Sequence, residues 1–291
     1  MRKAYLQLHL AVLLAGLTGI LGRLITLNEL MLVCYRLLLT VISMWIFFSW
    51  RKKIERLPVA FIAKTMGVGV IASLHWLTFY GAIKYANVSI ALVCFAAIGF
   101  FTAVFEPIIL KRSLNGRELL LGLMTLSGVY IIFHFDARYT VGIILGLLSA
   151  LLAALFPIFN RELLKKTNVE SMLVWQQLGG FLFICLLIPF YLEASPSLRM
   201  LPTTEDLLWL LVLSWICSVW AFQLSGAALK KLSAFTVNLS YNLEPVYGIL
   251  LAFIFFREDQ LLNSSFFVGL SLILLALGLH AITVFSRHKR S

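Results

Sequence analysis

Charge is scarce in this chain. Only 13% of its 291 residues are charged and only 13 are acidic, while 61% are hydrophobic. An ordinary soluble domain is about half apolar and about a quarter charged. A globular core cannot hide such an excess, so the composition excludes a soluble fold and predicts a membrane-embedded one. Cysteine is scarce too. Cys34, Cys94, Cys185 and Cys217 all lie inside apolar runs and no CxxC pair occurs. That removes a disulfide framework and a thiolate metal site, and leaves small buried hydrophobes. No G-x-x-x-x-G-K, HExxH or G-x-S-x-G sequence is present, and His9, His75, His134, His280 and His288 are scattered. Direct ATP use and the common hydrolase and zinc chemistries therefore have no motif behind them. No cofactor and no metal are expected. The longest connection, "EASPSLRMLPTTED" at 193–206, has no room for a nucleotide-binding domain.

What the chain does have is long apolar runs. A bilayer-spanning helix needs about 20 mostly apolar residues. By that ruler the sequence predicts ten spans, at 4–22, 30–50, 62–82, 88–110, 118–135, 140–160, 170–192, 206–227, 234–256 and 264–286. The alternating segments of a membrane barrel are missing. Arg2 and Lys3 precede the first run as in a signal peptide, yet no A-x-A site follows, so a retained helix is expected. With the N-terminus placed inside, 18 of the 24 lysines and arginines fall on the inner side. Arg23, Lys84, Arg138, Arg199 and Arg257 fall outside, and Arg36 lies within a span. This bias predicts a multi-pass protein of the cytoplasmic (inner) membrane with both termini cytoplasmic. It also accounts for the net charge of +11, which marks a membrane surface and not a nucleic-acid site.

The chain repeats itself. Displaced by 146 residues, "GAIKYANVSIALV" (81–93) falls on "AALKKLSAFTVNL" (227–239), Lys111-Arg112 on Arg257-Glu258 and His134 on His280. Displaced by 138, Arg23 falls on Arg161; by 141, "MLVCYR" (31–36) falls on "MLVWQQ" (172–177). Each half carries five spans, and an odd number inverts the second copy. The expected architecture is all-α, with ten transmembrane helices in two inverted five-helix repeats, 4–136 and 140–286, around a central cavity. Inverted repeats are a recurring plan of secondary transporters, with the substrate near the midplane between the halves.

At this point the sequence resembles the EamA-type drug/metabolite transporters. The resemblance rests on the Ala-Ile/Leu-Lys turn in each half (Ala82-Ile83-Lys84 and Ala228-Leu229-Lys230) and on Arg36 early in the second span. It rests also on Pro245 fifteen residues after the turn lysine and on the acidic helix end "FFRED". Gly99 stands where the second half has Pro245, and "LKRSL" where the family usually has a Gly-Glu pair, so the halves have diverged. The resemblance implies export or uptake of small metabolites, often amino acids, through a central cavity.

Ionisable groups at the bilayer centre cost about 2.5–3.5 kcal/mol on insertion scales and usually face a cavity or a partner. "NLSYNLEPVYG" (238–248) concentrates such groups near the middle of the ninth span. Asn238, Tyr241 and Pro245 share a helix face, with Asn242 and Glu244 beside it. A proline there bends a helix and frees a carbonyl, so this is either a substrate- or proton-binding patch or a kink satisfied by neighbouring helices. Arg36 could bind a substrate carboxylate, or snorkel or pair with a glutamate. Its repeat mate Gln177, with Gln176 and Trp175, could hold a ligand or join helices. His75, Trp76 and Tyr80 lie in the outer half of the third span; His75 is either a hydrogen-bonded structural group or a group that titrates near neutral pH. Trp215, Trp220 and Gln223 could line a cavity. Glu106 is expected to reach Lys111, Arg112 or water. Stripes of small residues (Ala11, Ala15, Gly19; Gly142, Gly146, Ala150, Ala154) predict close helix approaches, with these two helices paired beside the cavity.

The predicted function is a secondary transporter, not an enzyme. It would move small metabolites, amino acids or related zwitterions, by alternating access and in the export direction. The candidate substrate-binding residues are Glu244, Asn238, Tyr241, Asn242, Arg36, His75, Trp76, Tyr80, Trp175 and Gln177. The expected partners are a small-molecule substrate and the lipid bilayer, with the protein a monomer or homodimer and proton coupling open if Glu244 or His75 titrates. A polytopic membrane enzyme or a non-transporting subunit is the alternative, and a channel lacks the ring of repeated charges that a filter needs.

Overall fold

The structure, a computed structural model, describes residues 2–111, 113–135, 137–194, 199–229, 240–241 and 243–288. The described residues are helical, with no strand among them. The helices are α1 (Arg2–Leu24), α2 (Glu29–Trp50), α3 (Val59–Tyr85), α4 (Val88–Phe95), α5 (Ile98–Leu110), α6 (Gly116–Phe135), α7 (Thr140–Leu163), α8 (Val169–Ala194), α9 (Thr204–Leu211), α10 (Ala221–Leu229), α11 (Glu244–Phe256) and α12 (Ser264–His288). A π-helical segment, Val212–Trp220, joins α9 to α10.

Local chemistry sets the helix starts. The Asn28 carboxamide accepts from the Met31 N–H at 2.9 Å and opens α2. Asn87 does the same for Ile90 at 2.8 Å and opens α4. Thr203 and Asp206 form a reciprocal capping box on α9. Each satisfies backbone donors that a helix end leaves free, which matters more in hydrocarbon than in water.

Seven segments among the described residues are long and apolar enough to cross a membrane: α1, α2, α3, Val88–Leu110, α7, α8 and Thr204–Ser225. Glu244–Phe256 and Ser264–Leu279 are shorter apolar helices. Large side chains such as Ile46, Trp50, Leu186, Phe190 and Ile254 are two-thirds exposed or more. A contiguous apolar exterior of this kind is a lipid-facing surface.

Both the fourth and the ninth predicted spans are interrupted. α4 ends at Phe95, and α5 starts at Ile98 after Ala96-Ala97. α11 starts at Glu244, so Pro245 sits in the first turn of a new helix, where its missing N–H costs little. The proline therefore opens a helix instead of bending a continuous one. α5 and α11 are each 13 residues long, offset by 146 positions, and each ends on a left-handed basic residue, Lys111 at φ 52° and Arg257 at φ 54°. The internal repeat thus extends to backbone conformation.

Packing also comes in mates. α3 lies against α7 and α8, while α10 and the π segment lie against α1 and α2. α4 packs on α7 and on α11, and α11 packs on α1. α2 meets α8, and α6 meets α12. The two small-residue helices, α1 and α7, do not pair as the stripes suggested. Gly142 of α7 abuts Ala82 of α3 and Ala86 just past its end, and Gly16 of α1 abuts the backbone of Gly248 in α11. Each stripe thus meets small residues on a third helix instead of the other stripe.

The tightest approach joins α3 to α8. A Cβ on Gly69 would stand 1.9 Å from the Gln176 carbonyl oxygen, whereas one on Gly67 would meet nothing within 4 Å. Gly69→Ala is expected to destabilise the protein by about 1–3 kcal/mol through overpacking, and Gly67→Ala to leave it unchanged; thermal unfolding in detergent would compare the two.

Candidate functional site

Arg36 sits on α2 with only 5% of its surface exposed. Its guanidinium lies over the Trp76 ring, 4.5 Å from the centroid, and 5.8 Å from that of Tyr80. One terminal nitrogen donates to the Tyr80 hydroxyl at 2.8 Å and the other to the Ser218 hydroxyl at 3.2 Å. Trp76 and Tyr80 are one turn apart on α3, so they present one face to the cation. The Arg36 carbonyl accepts from Thr40 at 2.7 Å and from Ser214 at 3.2 Å. A guanidinium is always charged and has five donors. Two terminal donors are engaged here, and the face is held by an aromatic ring.

The π segment supplies the second wall. Leu213, Ser214, Cys217 and Ser218 are buried, while Trp215 and Trp220 are about half exposed, at 51% and 47%. The wide turn brings the Ser218 hydroxyl onto the Leu213 carbonyl, five residues back, at 3.0 Å. π turns inside helices are frequent at functional sites. The tryptophans therefore lie on the opposite flank from Arg36, and Trp215 donates to the Ser43 hydroxyl at 2.9 Å.

Glu244 is the first residue of α11 and is half-buried. A helix N-terminus favours a carboxylate. Glu244 interacts electrostatically with Arg36, Tyr80 and Tyr241, yet no described ion pair or hydrogen bond joins it to Arg36. The Tyr241 hydroxyl hydrogen-bonds Ser225 of α10, and its ring packs with Ala4, Leu8 and Val12 of α1. Asn238 and Asn242 lie outside the described residues.

His75 faces α7. Its Nδ1 is 2.9 Å from the Ser149 hydroxyl and 3.1 Å from the Ser149 carbonyl oxygen, and the ring stacks on Phe95 at 5.4 Å. Phe79 and Phe156 complete an aromatic shell. Trp175 makes an edge contact with Trp45 at 5.3 Å, and its indole N–H is buried without a partner among the described residues. Gln177 is buried elsewhere on α8, and Gln176 donates to Asn160 of α7. The structure thus gathers Arg36, Trp76, Tyr80 and Glu244. It places His75 at the α3–α7 contact, and Trp175 and Gln177 along α8. Glu106 meets Arg161 of α7 at 3.3 Å.

Ser214, Ser218, Thr40 and Ser149 belong to this interior and are absent from the sequence-derived candidates. A signal existed: Ser214, Cys217 and Ser218 share one face of "VLSWICSVW", the face away from its tryptophans. A fixed cation and a carboxylate, set on different helices in a low-dielectric interior, can hold the two ends of a small zwitterion. Two pockets lie elsewhere. One of about 340 Å³ is lined by Phe253, Ile254, Arg257 and Asp259, and an apolar one of about 200 Å³ lies between α6 and α7.

The sequence profile of the EamA-like transporter family matches residues 2–134 and again 140–282. An "Uncharacterized transporter" of Archaeoglobus fulgidus is 24% identical over 266 residues, covering 87% of this chain and 86% of that protein. One from Haemophilus influenzae is 26% identical over 161 residues, 52% of this chain and 53% of its own length. A solved crystal structure covers 100% of both chains with a TM-score of 0.64 at 14% identity, which is a likeness of fold.

Tyr80→Phe and Ser218→Ala would each strip one acceptor from a buried guanidinium. Each is expected to cost about 1–3 kcal/mol, with their combined effect departing from the sum because both act on one group; a double-mutant cycle on thermal unfolding measures it.

Proposed function

Since the chain belongs to the EamA-like transporter family, we propose that it is a secondary transporter that carries small zwitterionic metabolites, amino acids or close relatives, outward across the cytoplasmic membrane by alternating access. The observation that carries this reading is a buried, aromatic-backed Arg36 that a half-buried Glu244, at the start of α11, reaches electrostatically without a direct bond. Arg36 takes the substrate carboxylate in place of the Tyr80 and Ser218 hydroxyls. Glu244 takes the amine. Trp76 and Tyr80 provide a flat apolar wall, and Tyr241 adds to the site from the second half; Asn238 and Asn242, outside the described residues, remain candidates on their sequence position beside Tyr241 and Glu244. Trp175, Gln177 and His75 stand as a further set along the path. Proton coupling enters if Glu244 releases its amine partner by taking up a proton.

The proposed frame is ten membrane helices in two inverted five-helix repeats, 4–136 and 140–286, with a central cavity between them. The matched breaks in the fourth and ninth spans, the equal lengths of α5 and α11, and the mated packing support it. Discontinuous helices near the midplane are a recurrent way to present backbone charge to a transported solute. The lysine and arginine bias supports cytoplasmic termini.

Flux of a labelled amino-acid pool into proteoliposomes tests the function. Saturable uptake is expected for the wild type. Glu244→Gln and Arg36→Lys are each expected to lose about tenfold to a hundredfold of it, the worth of one charged hydrogen bond. Equal flux in wild type and both variants would discard the site; no saturable flux would discard the transport of amino acids. A reporter fused after Ser291 tests orientation, with fluorescence expected from a cytoplasm-dependent reporter and no activity from one that needs export.

A further inference from the structure

The contacts between the two matched regions (2–134 and 140–282) are not alike at the two ends of the helices. At the end that carries the α1–α2 turn, Glu258 is fully buried. It forms an ion pair with Arg23, which lies over the Phe256 ring at 4.4 Å. It also accepts from the Val88 N–H at 3.1 Å, the Ser89 N–H at 2.8 Å and the Ser89 hydroxyl at 2.6 Å. Beside it Asp206, 1% exposed, accepts from the Thr26 N–H at 2.6 Å and the Thr26 hydroxyl at 2.9 Å, with Arg199 3.8 Å away. Lys84 donates to the Ile25 carbonyl on the same face. Both carboxylates come from the second region, and Arg23, Thr26, Val88 and Ser89 come from the first.

Among the described residues the opposite end is held differently. There Glu55 accepts from the Thr167 hydroxyl and the Asn168 N–H, its own N–H donates to the buried Ser171 hydroxyl at 2.8 Å, and Arg161 meets Glu106; Glu55 and Arg161 are exposed, and Glu106, Thr167 and Asn168 are half-buried. Water competes for such pairs and each contributes little. The repeat explains the asymmetry. Arg161 is the mate of Arg23, and Arg112 is the residue at the sequence position that mates with Glu258. A mirror-related clasp would have to join two cations. Nor does α3, the mate of α9, have an acidic residue in its first turn, whereas α9 has Asp206.

The clasp leans on the site. A Cβ on Gly22, next to Arg23, would stand 2.5 Å from the Tyr80 ring, and the Tyr80 hydroxyl accepts from Arg36. From these observations we propose that Glu258 is the latch of the outer gate, shutting the Arg23 face over the Arg36 site, and that the chain rests with that face closed. The proposal uses the alternating-access reading above for its function. Opening the face exposes Glu258 and Asp206 together and frees the N-terminus of α4.

Cys217 reports on this without any knowledge of the substrate, since it lies on the wall beside Arg36. With Cys34, Cys94 and Cys185 replaced by alanine, its rate of modification by an impermeant anionic methanethiosulfonate is measured in right-side-out and in inside-out vesicles. Reaction is expected to be slow from the Arg23 face and faster from the other. Glu258→Gln is expected to speed the Arg23-face reaction about tenfold or more, a modest shift between two states, and Ser89→Ala to speed it less. An Arg23-face rate unchanged by Glu258→Gln would overturn the proposal. So would an equal rise from both faces, which would make the clasp a structural tie only. Because labelling needs no transport, an asymmetric result without amino-acid flux would discard amino acids as the substrate and leave the latch standing.

Discussion

A guanidinium cannot shed its charge, so burying Arg36 commits everything around it. An aspartate or lysine in the same place could turn neutral, and the surrounding helices would owe it less. Here the debt is met by the face of Trp76, the hydroxyls of Tyr80 and Ser218, and the field of Glu244. Each comes from a helix that must therefore approach α2 at one depth. Tyr80 has no exposed surface at all, and Gly22 is small because that ring occupies the space a side chain would need. The π turn at Val212–Trp220 belongs to the same set of constraints, since it aims Ser214 and Ser218 at α2. One charge thus relates a glycine in α1, two aromatics in α3 and a distortion between α9 and α10.

Much of this was legible before the fold was known, and the reasons differ by element. Apolar length marks a span directly, so α1, α2, α3, α7 and α8 follow from runs of residues alone. Arg36 and Glu244 stand out because a charge inside such a run needs a partner. The break at Ala96-Ala97 was not legible locally, because alanine favours helix continuity. The 146-residue offset sets it opposite Asn242-Leu243, just before the start of α11 at Glu244-Pro245, but the apolar run 88–110 reads as one span. The Thr203-x-x-Asp206 box shows its local role in four residues, but its bonds to Thr26 span 180 positions and no periodicity reports them. Glu258 looked like the polar end of a helix for the same reason. Small hydroxyl residues were overlooked beside tryptophans, since size draws attention where burial would have been the better guide.

The repeat is informative where it fails. Backbone features survive duplication: α5 and α11 have the same length and the same left-handed termini. Side-chain chemistry does not survive it. Gln177 stands where Arg36 stands, and Arg112 where Glu258 stands. Divergence of this kind puts Arg36 in one repeat and Glu244 in the other, so a duplicated sequence can carry unlike charges at its related positions.

The bond between Arg23 and Glu258 joins residues 235 positions apart. A ribosome adding about 5–20 residues each second finishes Arg23 roughly 10–50 s before it makes Glu258. Through that interval Arg23 has no Glu258 to pair with, and the N-terminus of α4, once made, has no carboxylate for its Val88 and Ser89 N–H groups. Completion of α11 and the turn after it supplies that carboxylate, so a chain truncated before Glu258 keeps most of its apolar segments and lacks this tie.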